Sequence, residues 1–244
     1  GIDFRATYRR QYPMGVAASH VLGGVDIDEI GVAGVEKYFE HRLRSDPTPL
    51  RLSLDVRVQA IVREELLRAM TSFDAIGGAG IVMDVRTGEL IALVSLPDYD
   101  ANAFRSSPEE NKRNRAIKER YEPGSPFKLQ TLSMGLDYGL VHIWDDFDAT
   151  HPISIGKFTI SDFEGKHRRL FLPEVLAYSS NIGAARIATI VGGVRQREWL
   201  KNMGMFGRTG VELPEAGMPI VQQPQNWKDI ATMTVGFGHG ISVT

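Results

Sequence analysis

Two short segments of the chain combine hydroxyl, amine and amide side chains at spacings that suit acyl transfer. In the first, Ser125 follows Pro123-Gly124 and precedes Lys128 by three residues. In the second, Ser179 and Asn181 lie on either side of another serine. Residues three apart share one face of a helix, so a lysine placed there can take the proton of a serine hydroxyl and turn it into a nucleophile.

Spacing alone does not identify the reactive pair, because Ser154 and Lys157 repeat it. Ser154 lies in an alternating run that predicts an extended strand, where three residues span about 10 Å and successive side chains point to opposite faces. Ser125 instead precedes Pro126. Proline favours the first turn of a helix and serine favours the N-cap before it, which predicts that the Ser125 oxygen lies near Lys128.

Each candidate residue has an expected role. Lys128 can act as a general base only if burial removes it from water, because desolvation lowers the pKa of an amine. We expect Ser179 to relay a proton to the leaving amine and Asn181 to hold a backbone amide of the substrate. An alternative stays open for each motif taken singly, in which Ser125 and either Ser180 or Asn181 merely cap helices. The two motifs together, in this order and each at a helix start, favour the catalytic interpretation.

Composition excludes several other kinds of function. The 244 residues carry a net charge of -2, which gives no bulk attraction to nucleic acid. Cysteine is absent, so disulfides, thiolate zinc sites and cysteine nucleophiles are excluded. The six histidines show no metal-binding spacing, and Gly236-Phe237-Gly238-His239-Gly240 does not fit the dinucleotide-binding pattern. We therefore expect no metal and no organic cofactor.

The chain also lacks any apolar run that approaches the roughly 20 residues needed to span a bilayer. Both ends of the sequence are abrupt, and we expect it to be a soluble piece of a longer protein. Within it, Asp46-Pro47-Thr48-Pro49 interrupts a helix expected around residues 35–43, because proline lacks the amide donor. The pattern thus predicts an N-terminal segment over residues 1–49 and a larger domain over residues 50–244.

The larger domain is predicted to be α+β, because early strands precede a run of helices without regular βαβ alternation. Asp55 is expected to cap a helix. Its predicted buried stripe comprises Val58, Ile61, Val62, Leu66 and Met70. Strands are expected at 50–54, 80–85, 89–94 and 153–160, and helices at 126–138, 172–178, 182–191, 196–203 and from 227.

The two motifs, and segments across nearly the whole chain, resemble class B penicillin-binding proteins and look closest to the cell-division type. Residues 12–15, 18–23 and 31–36 are similar to the non-catalytic N-terminal segments of that class, and residues 84–93 are similar to the paired strands before its nucleophile. The resemblance implies a serine transpeptidase/β-lactamase-like domain, with an antiparallel sheet flanked by helices, behind a pedestal-like N-terminal segment. Pro126 departs from the small residue or threonine usual at its position, and it is compatible with a helix start.

The resemblance also implies a reaction. Ser125 would attack the D-alanyl-D-alanine carbonyl of a peptidoglycan stem peptide with Lys128 as base, D-alanine would leave, and an amine of a second stem peptide would take the acyl group. β-Lactams would trap the ester. The implied partners are stem peptides, β-lactam antibiotics, division-complex membrane proteins and a glycosyltransferase, and the implied place is the periplasmic side of an inner-membrane-anchored protein.

One part of the family's set of motifs is missing, since neither Lys-Thr-Gly nor Lys-Ser-Gly occurs in the sequence. The domain is therefore expected to be truncated before that strand, and these residues alone are expected to be inactive. Two alternatives remain. A β-lactam sensor or β-lactamase of the same fold is disfavoured by Asn181 and by the lack of a Glu-x-x-Leu-Asn segment. A non-catalytic scaffold fragment would use its serines only as helix caps.

Overall fold

The computed structural model of the chain describes residues 9–244, and these form two compact units. One unit comprises residues 9–119 and 209–217, and the other comprises residues 120–208 and 218–244. Throughout the described part, strands pair antiparallel in two-stranded sheets and helices supply most of the remaining regular structure. The expected α+β class is confirmed. No helix in residues 9–244 is both long enough and apolar enough to cross a membrane.

The first unit is built around one long helix and one hairpin. Its helices are α1 (Ser19–Leu22), α2 (Gly34–Tyr38), α3 (Glu40–Ser45), α4 (Val56–Phe73), α5 (Glu109–Lys112) and α6 (Arg115–Lys118), with a 3-10 helix at Ala101–Ser106. Its strands are β1 (Gly24–Val25), β2 (Gly31–Ala33), β3 (Gly78–Met83) and β4 (Leu90–Leu96). The helix expected around residues 35–43 is present, divided between α2 and α3 at Phe39.

Helix α4 packs on the β3–β4 hairpin and confirms one sequence prediction while correcting another. Asp55 caps it by accepting the Arg57 N–H at 2.9 Å. Ile61, expected in the buried stripe, is 61% exposed, and the other four residues of that stripe are only half-buried. Gln59 is buried instead, because its side-chain amide accepts from the Leu93 N–H at 2.8 Å and donates to the Leu93 carbonyl at 2.6 Å. A polar residue thus occupies the core side of the helix by pairing with a strand backbone.

The strand expected at 50–54 is not formed, and this prediction is wrong. The segment lies near β4, where the Ser53 hydroxyl donates to the Leu90 carbonyl at 2.7 Å and the Asp55 N–H donates to the Ile91 carbonyl at 2.9 Å. These isolated bonds do not make a ladder. The apolar alternation therefore reflects partial burial of leucine side chains rather than strand pairing.

The second unit carries both motifs. Its helices are α7 (Lys128–Asp137), α8 (Leu172–Ala177), α9 (Asn181–Val191), α10 (Gly193–Asn202) and α11 (Asp229–Val235), with 3-10 helices at Ser125–Phe127 and Pro224–Asn226. Its strands are β5 (Asp146–Asp148), β6 (Ile153–Ile155), β7 (Phe158–Ile160) and β8 (Arg169–Phe171). Ser154 lies in β6 and Lys157 in the turn before β7, as the extended pattern predicted.

Helix α9 forms the centre of this unit because almost every one of its side chains is small or apolar. Seven of its residues are buried. Helices α7 and α11 pack against it. The α7 side of this contact is tight, since a Cβ on Gly135 would lie 2.8 Å from Val141 and 3.3 Å from Ile187. Leu132 and Met134 of α7 are buried, whereas Leu129 and Leu136, which seemed available for burial, are exposed. A rigid α7–α9 pair thus holds the two motifs.

Candidate active site

The backbone before α7 presents Ser125 in a sharp turn. Gly124 has φ 61° and ψ -152°, a conformation that is essentially restricted to glycine. Ser125 then begins the 3-10 helix, so Gly124 and not Ser125 occupies the cap position. The expectation that Ser125 is the N-cap is therefore wrong, and its hydroxyl bonds Lys128 instead of the helix backbone. The predicted proximity of the two side chains nevertheless holds.

Lys128 is the centre of the site. Its ammonium nitrogen Nζ lies 3.0 Å from Ser125 Oγ and 2.9 Å from Ser179 Oγ, and it donates to the Ser179 carbonyl at 2.7 Å. The residue is 1% exposed, and it is the largest of the fully buried side chains in the described part of the chain. A lysine is almost never fully buried unless its nitrogen is paired, as it is here. The two serines are themselves exposed.

Burial changes the acid–base chemistry of Lys128. Desolvation lowers its pKa to about 8, against a partial opposing effect of the Asp162 carboxylate, which favours the ammonium form. At pH 7 the neutral fraction rises from about 0.03% for an ordinary lysine to about 10%. A neutral amine beside a serine hydroxyl is a competent general base near neutral pH. Lys128 can act as a general base only if it is removed from water, and in the structure it is.

Ser179 occupies the bend between α8 and α9 with a φ of 53°. This left-handed conformation is uncommon for a residue other than glycine, asparagine or aspartate. Here it directs both the carbonyl and the hydroxyl of Ser179 toward Lys128. Non-glycine residues held in such conformations cluster at functional sites, where the surrounding structure compensates the strain. The motif's first serine is thus part of the site, not a helix cap.

The other two residues of that motif separate structural and functional roles. Ser180 caps α9, because its buried hydroxyl accepts the Gly183 N–H at 2.9 Å. Asn181 begins α9, and its Nδ2 donates to the Ser161 carbonyl at 3.0 Å. The structure therefore joins Ser125, Lys128 and Ser179 by direct hydrogen bonds, while Asn181 has no bond to these three side chains. The bond to Ser161 orients the Asn181 amide, and no residue from 9 to 244 donates a hydrogen bond to its Oδ1.

Asp162 is a site residue that the sequence did not reveal. Its Oδ2 accepts the Ser180 hydroxyl at 2.7 Å and its Oδ1 accepts the Ile182 N–H at 2.9 Å, so it braces the start of α9. Its charge also acts on Lys128. Asp162 lies 17 residues before Ser179 in a loop without any recognisable motif. Only the folded chain brings it to the site.

We expect Asp162→Asn to shift the pH dependence of the serine's reactivity. Removing the negative charge disfavours the ammonium form of Lys128, so the pKa of Lys128 should fall further and the midpoint of acylation should move to lower pH. Loss of the charge-assisted bonds should also cost about 1 kcal/mol of unfolding free energy. The measurements are acylation rate against pH and urea unfolding. The exposed Glu164→Gln is the control, and an unshifted midpoint in Asp162→Asn contradicts the expectation.

Residues 78–244 match the penicillin binding protein transpeptidase domain, which is more than half of the chain. The chain belongs to this family. The transpeptidase match includes Ser125, Lys128, Ser179 and Asn181.

Within residues 9–244, no cluster of three metal-ligating side chains occurs.

Two named relatives extend the similarity over the whole chain. A Caulobacter vibrioides protein named probable peptidoglycan D,D-transpeptidase FtsI is 38% identical over 248 residues, which cover 100% of this chain and 42% of the relative. The peptidoglycan D,D-transpeptidase FtsI of Escherichia coli K12 is 31% identical over 269 residues, which cover 100% of this chain and 45% of the relative. The chain thus spans less than half the length of these curated relatives.

Solved transpeptidase structures confirm the fold. The apo form of penicillin binding protein 3 from Mycobacterium tuberculosis aligns with a TM-score of 0.85 and 26% identity over 97% of this chain and 56% of that one. A complex of the same protein with aztreonam aligns with a TM-score of 0.84 and 27% identity over 97% and 55% of the two chains. The resemblance to penicillin-binding proteins of the division type, penicillin-binding protein 3, is therefore confirmed.

Proposed function

We propose that this chain carries the acylation site of a peptidoglycan D,D-transpeptidase that cross-links stem peptides, is a target of β-lactams and acts in septal cell-wall synthesis. The observation that carries the proposal is the buried Lys128 nitrogen, held within 3.0 Å of Ser125 Oγ and 2.9 Å of Ser179 Oγ. Relatives named peptidoglycan D,D-transpeptidase FtsI and a penicillin binding protein 3 in complex with aztreonam support it.

In the first step, Ser125 Oγ attacks the D-alanyl-D-alanine carbonyl of a stem peptide. Neutral Lys128 takes the hydroxyl proton as the Oγ–carbon bond forms. Collapse of the tetrahedral intermediate breaks the bond to the amine of D-alanine, which must gain a proton to leave. The acyl group then remains on Ser125 as an ester.

Proton transfer to the leaving amine is the proposed role of Ser179. A neutral amine has two N–H groups and one lone pair. Lys128 can therefore donate to the Ser179 carbonyl, donate to one hydroxyl and accept from the other. Once Lys128 has accepted the proton of Ser125, it can pass a proton to Ser179 Oγ, which donates to the departing nitrogen. The three-bond arrangement is thus suited to a relay without moving any side chain.

The second step repeats the relay in reverse. An amine of a second stem peptide attacks the ester, loses its proton through Ser179 to Lys128, and releases Ser125 Oγ with its hydrogen. We propose that Asn181 holds a backbone amide of the substrate through its Oδ1, since its Nδ2 donates to the Ser161 carbonyl. No cofactor or metal enters either step.

The remaining proposals concern the protein that carries this chain. Residues 1–49 would form the non-catalytic segment and residues 50–244 the transpeptidase portion, with a Lys-Thr-Gly strand outside these residues completing the cleft. Division-complex membrane proteins and a glycosyltransferase would be its partners, and a membrane anchor outside this chain would place it on the periplasmic side of the inner membrane. The names of the FtsI relatives support the division role.

Labelling with a fluorescent penicillin tests the acylation site. In the natural protein that contains these residues, we expect one covalent adduct, which peptide mass spectrometry maps to Ser125. The isolated 244 residues should remain unlabelled because Lys-Thr-Gly is absent. An adduct on another residue, or none in the natural protein, would refute the proposed site. Rapid hydrolysis of the adduct would instead favour a β-lactamase, and labelling of the isolated chain would refute the need for a further strand.

A further inference from the structure

The turn that presents Ser125 is paired with a distant segment of the same unit, residues 238–243. Tyr121 and Val243 exchange two backbone hydrogen bonds of 2.9 Å, and the Gly124 N–H donates to the Gly238 carbonyl at 3.1 Å. The residue before Ser125 is therefore held from outside its own helix. Between these two attachment points the backbones do not bond each other directly.

The Glu122 carboxylate fills this gap. Its Oε1 accepts the Gly240 N–H at 2.9 Å, and its Oε2 lies 3.0 Å from Nδ1 of His239. The Gly240 N–H also lowers the pKa of the Glu122 carboxyl, with a smaller contribution from His239. The carboxylate is therefore charged throughout the pH range in which Lys128 loses its proton. A side chain thus joins two segments that the backbone alone joins only at their ends.

Gly238 makes this approach possible. A Cβ on Gly238 would lie 2.2 Å from the Gly124 carbonyl oxygen and 2.5 Å from the Gly124 nitrogen, and its φ of 83° already favours glycine. Within the glycine-rich sequence that fits no nucleotide-binding pattern, Gly238 therefore lets the backbone before Ser125 lie directly against another backbone.

We propose that Glu122, held by the Gly240 amide and His239, is a positioning residue that fixes the turn carrying the Ser125 nucleophile. This inference rests on the proposed acyl transfer at Ser125. The carboxylate is 48% exposed and His239 is 58% exposed, so the pair contributes little to global stability. The effect of Glu122 is geometric, because it lies two residues before Gly124. The conformation of Gly124 sets where Ser125 Oγ lies relative to the Lys128 nitrogen.

The test is the kinetics of acylation by a fluorescent penicillin in the natural protein that contains these residues. We expect Glu122→Ala to lower the acylation rate constant about 10- to 100-fold, the cost of a misplacement of about 1 Å in a reacting group. The dissociation constant of the prior non-covalent complex should stay within about threefold, since Glu122 is not proposed to touch substrate. Glu122→Gln retains an acceptor for the Gly240 N–H and should restore most of the rate. His239→Ala removes one of the two contacts and should give a smaller loss.

Two controls separate positioning from loss of folded protein. Glu198→Ala removes another exposed glutamate of the same unit, on α10, and should leave the rate unchanged. The final amount of labelled enzyme should equal that of the wild type in every variant, because a slow nucleophile still reacts to completion. If Glu122→Ala does not accumulate as folded protein, Glu122→Asp, which withdraws the carboxylate by one methylene, takes its place with the same expected direction.

Four results would overturn the inference. An acylation rate constant within about threefold of wild type in Glu122→Ala would show that the turn holds itself. A loss confined to the dissociation constant, or to the amount of labelled enzyme, would assign Glu122 to binding or to stability. If the wild type is labelled at Ser125 and Glu122→Ala reacts as fast, only this inference fails. If the wild type is not labelled at Ser125, the proposed function fails with it.

Discussion

Ser125→Ala is expected to abolish covalent labelling by β-lactams and to lower transpeptidation by about 10⁴-fold or more, because the acyl-enzyme cannot form without the attacking oxygen. The substitution removes one hydroxyl of an exposed residue, and the Lys128 nitrogen keeps its two bonds to Ser179, so unfolding free energy should stay within about 1 kcal/mol of wild type. Fluorescent penicillin labelling, read on a gel and by intact-protein mass, measures the effect in the natural protein that contains these residues.

The chain provides its own control for this experiment. Ser154 has a lysine three residues later, as Ser125 does, but it lies in β6 and no hydrogen bond joins it to Lys157. Ser154→Ala should therefore react at the wild-type rate. If Ser125→Ala still forms a stoichiometric adduct, or if Ser154→Ala prevents it, the nucleophile has been assigned to the wrong serine.

The pairing of Ser125 with Lys128 could be predicted because it depends on local structure. A spacing of three residues at a helix start brings two side chains together whatever surrounds them. The hairpin of β3 and β4 was predictable for the same reason, since the Arg86-Thr87-Gly88 turn joins two apolar runs. The identity of the residue that caps the helix start could not be predicted, because Gly124 and Ser125 both suit that position. Only the backbone angles decide between them.

The sequence did not reveal site residues whose hydrogen-bond partners lie far along the chain. Asp162 and Glu122 are ordinary carboxylates in the sequence, and each has a hydrogen-bond partner that only the fold brings near, at Ser180 and at Gly240. The same holds for Gln59, which the predicted buried stripe did not include and whose amide pairs with the β4 backbone. Helical periodicity ranks side chains by their own polarity, and it carries no information on a backbone partner 34 residues away.

Lys128→Met is expected to lower the acylation rate constant by about 10³-fold, within the usual range for loss of a general base. Methionine matches the length of the lysine stem and suits the buried position, and water can reach the exposed Ser179 that loses its partner. The folded protein should therefore survive. Lys157→Met, in the exposed turn after β6, removes the chance counterpart and should leave the rate unchanged.

The pH profile distinguishes a base from a merely structural lysine. The reactive form is the neutral amine, so the wild-type rate should rise with pH, level off above the Lys128 pKa of about 8, and fall about tenfold per pH unit well below it. In Lys128→Met the residual rate should lose this midpoint, because no other described group bonded to Ser125 Oγ titrates there. A variant that kept both a midpoint near 8 and a rate within tenfold of wild type would show that another residue accepts the proton of Ser125.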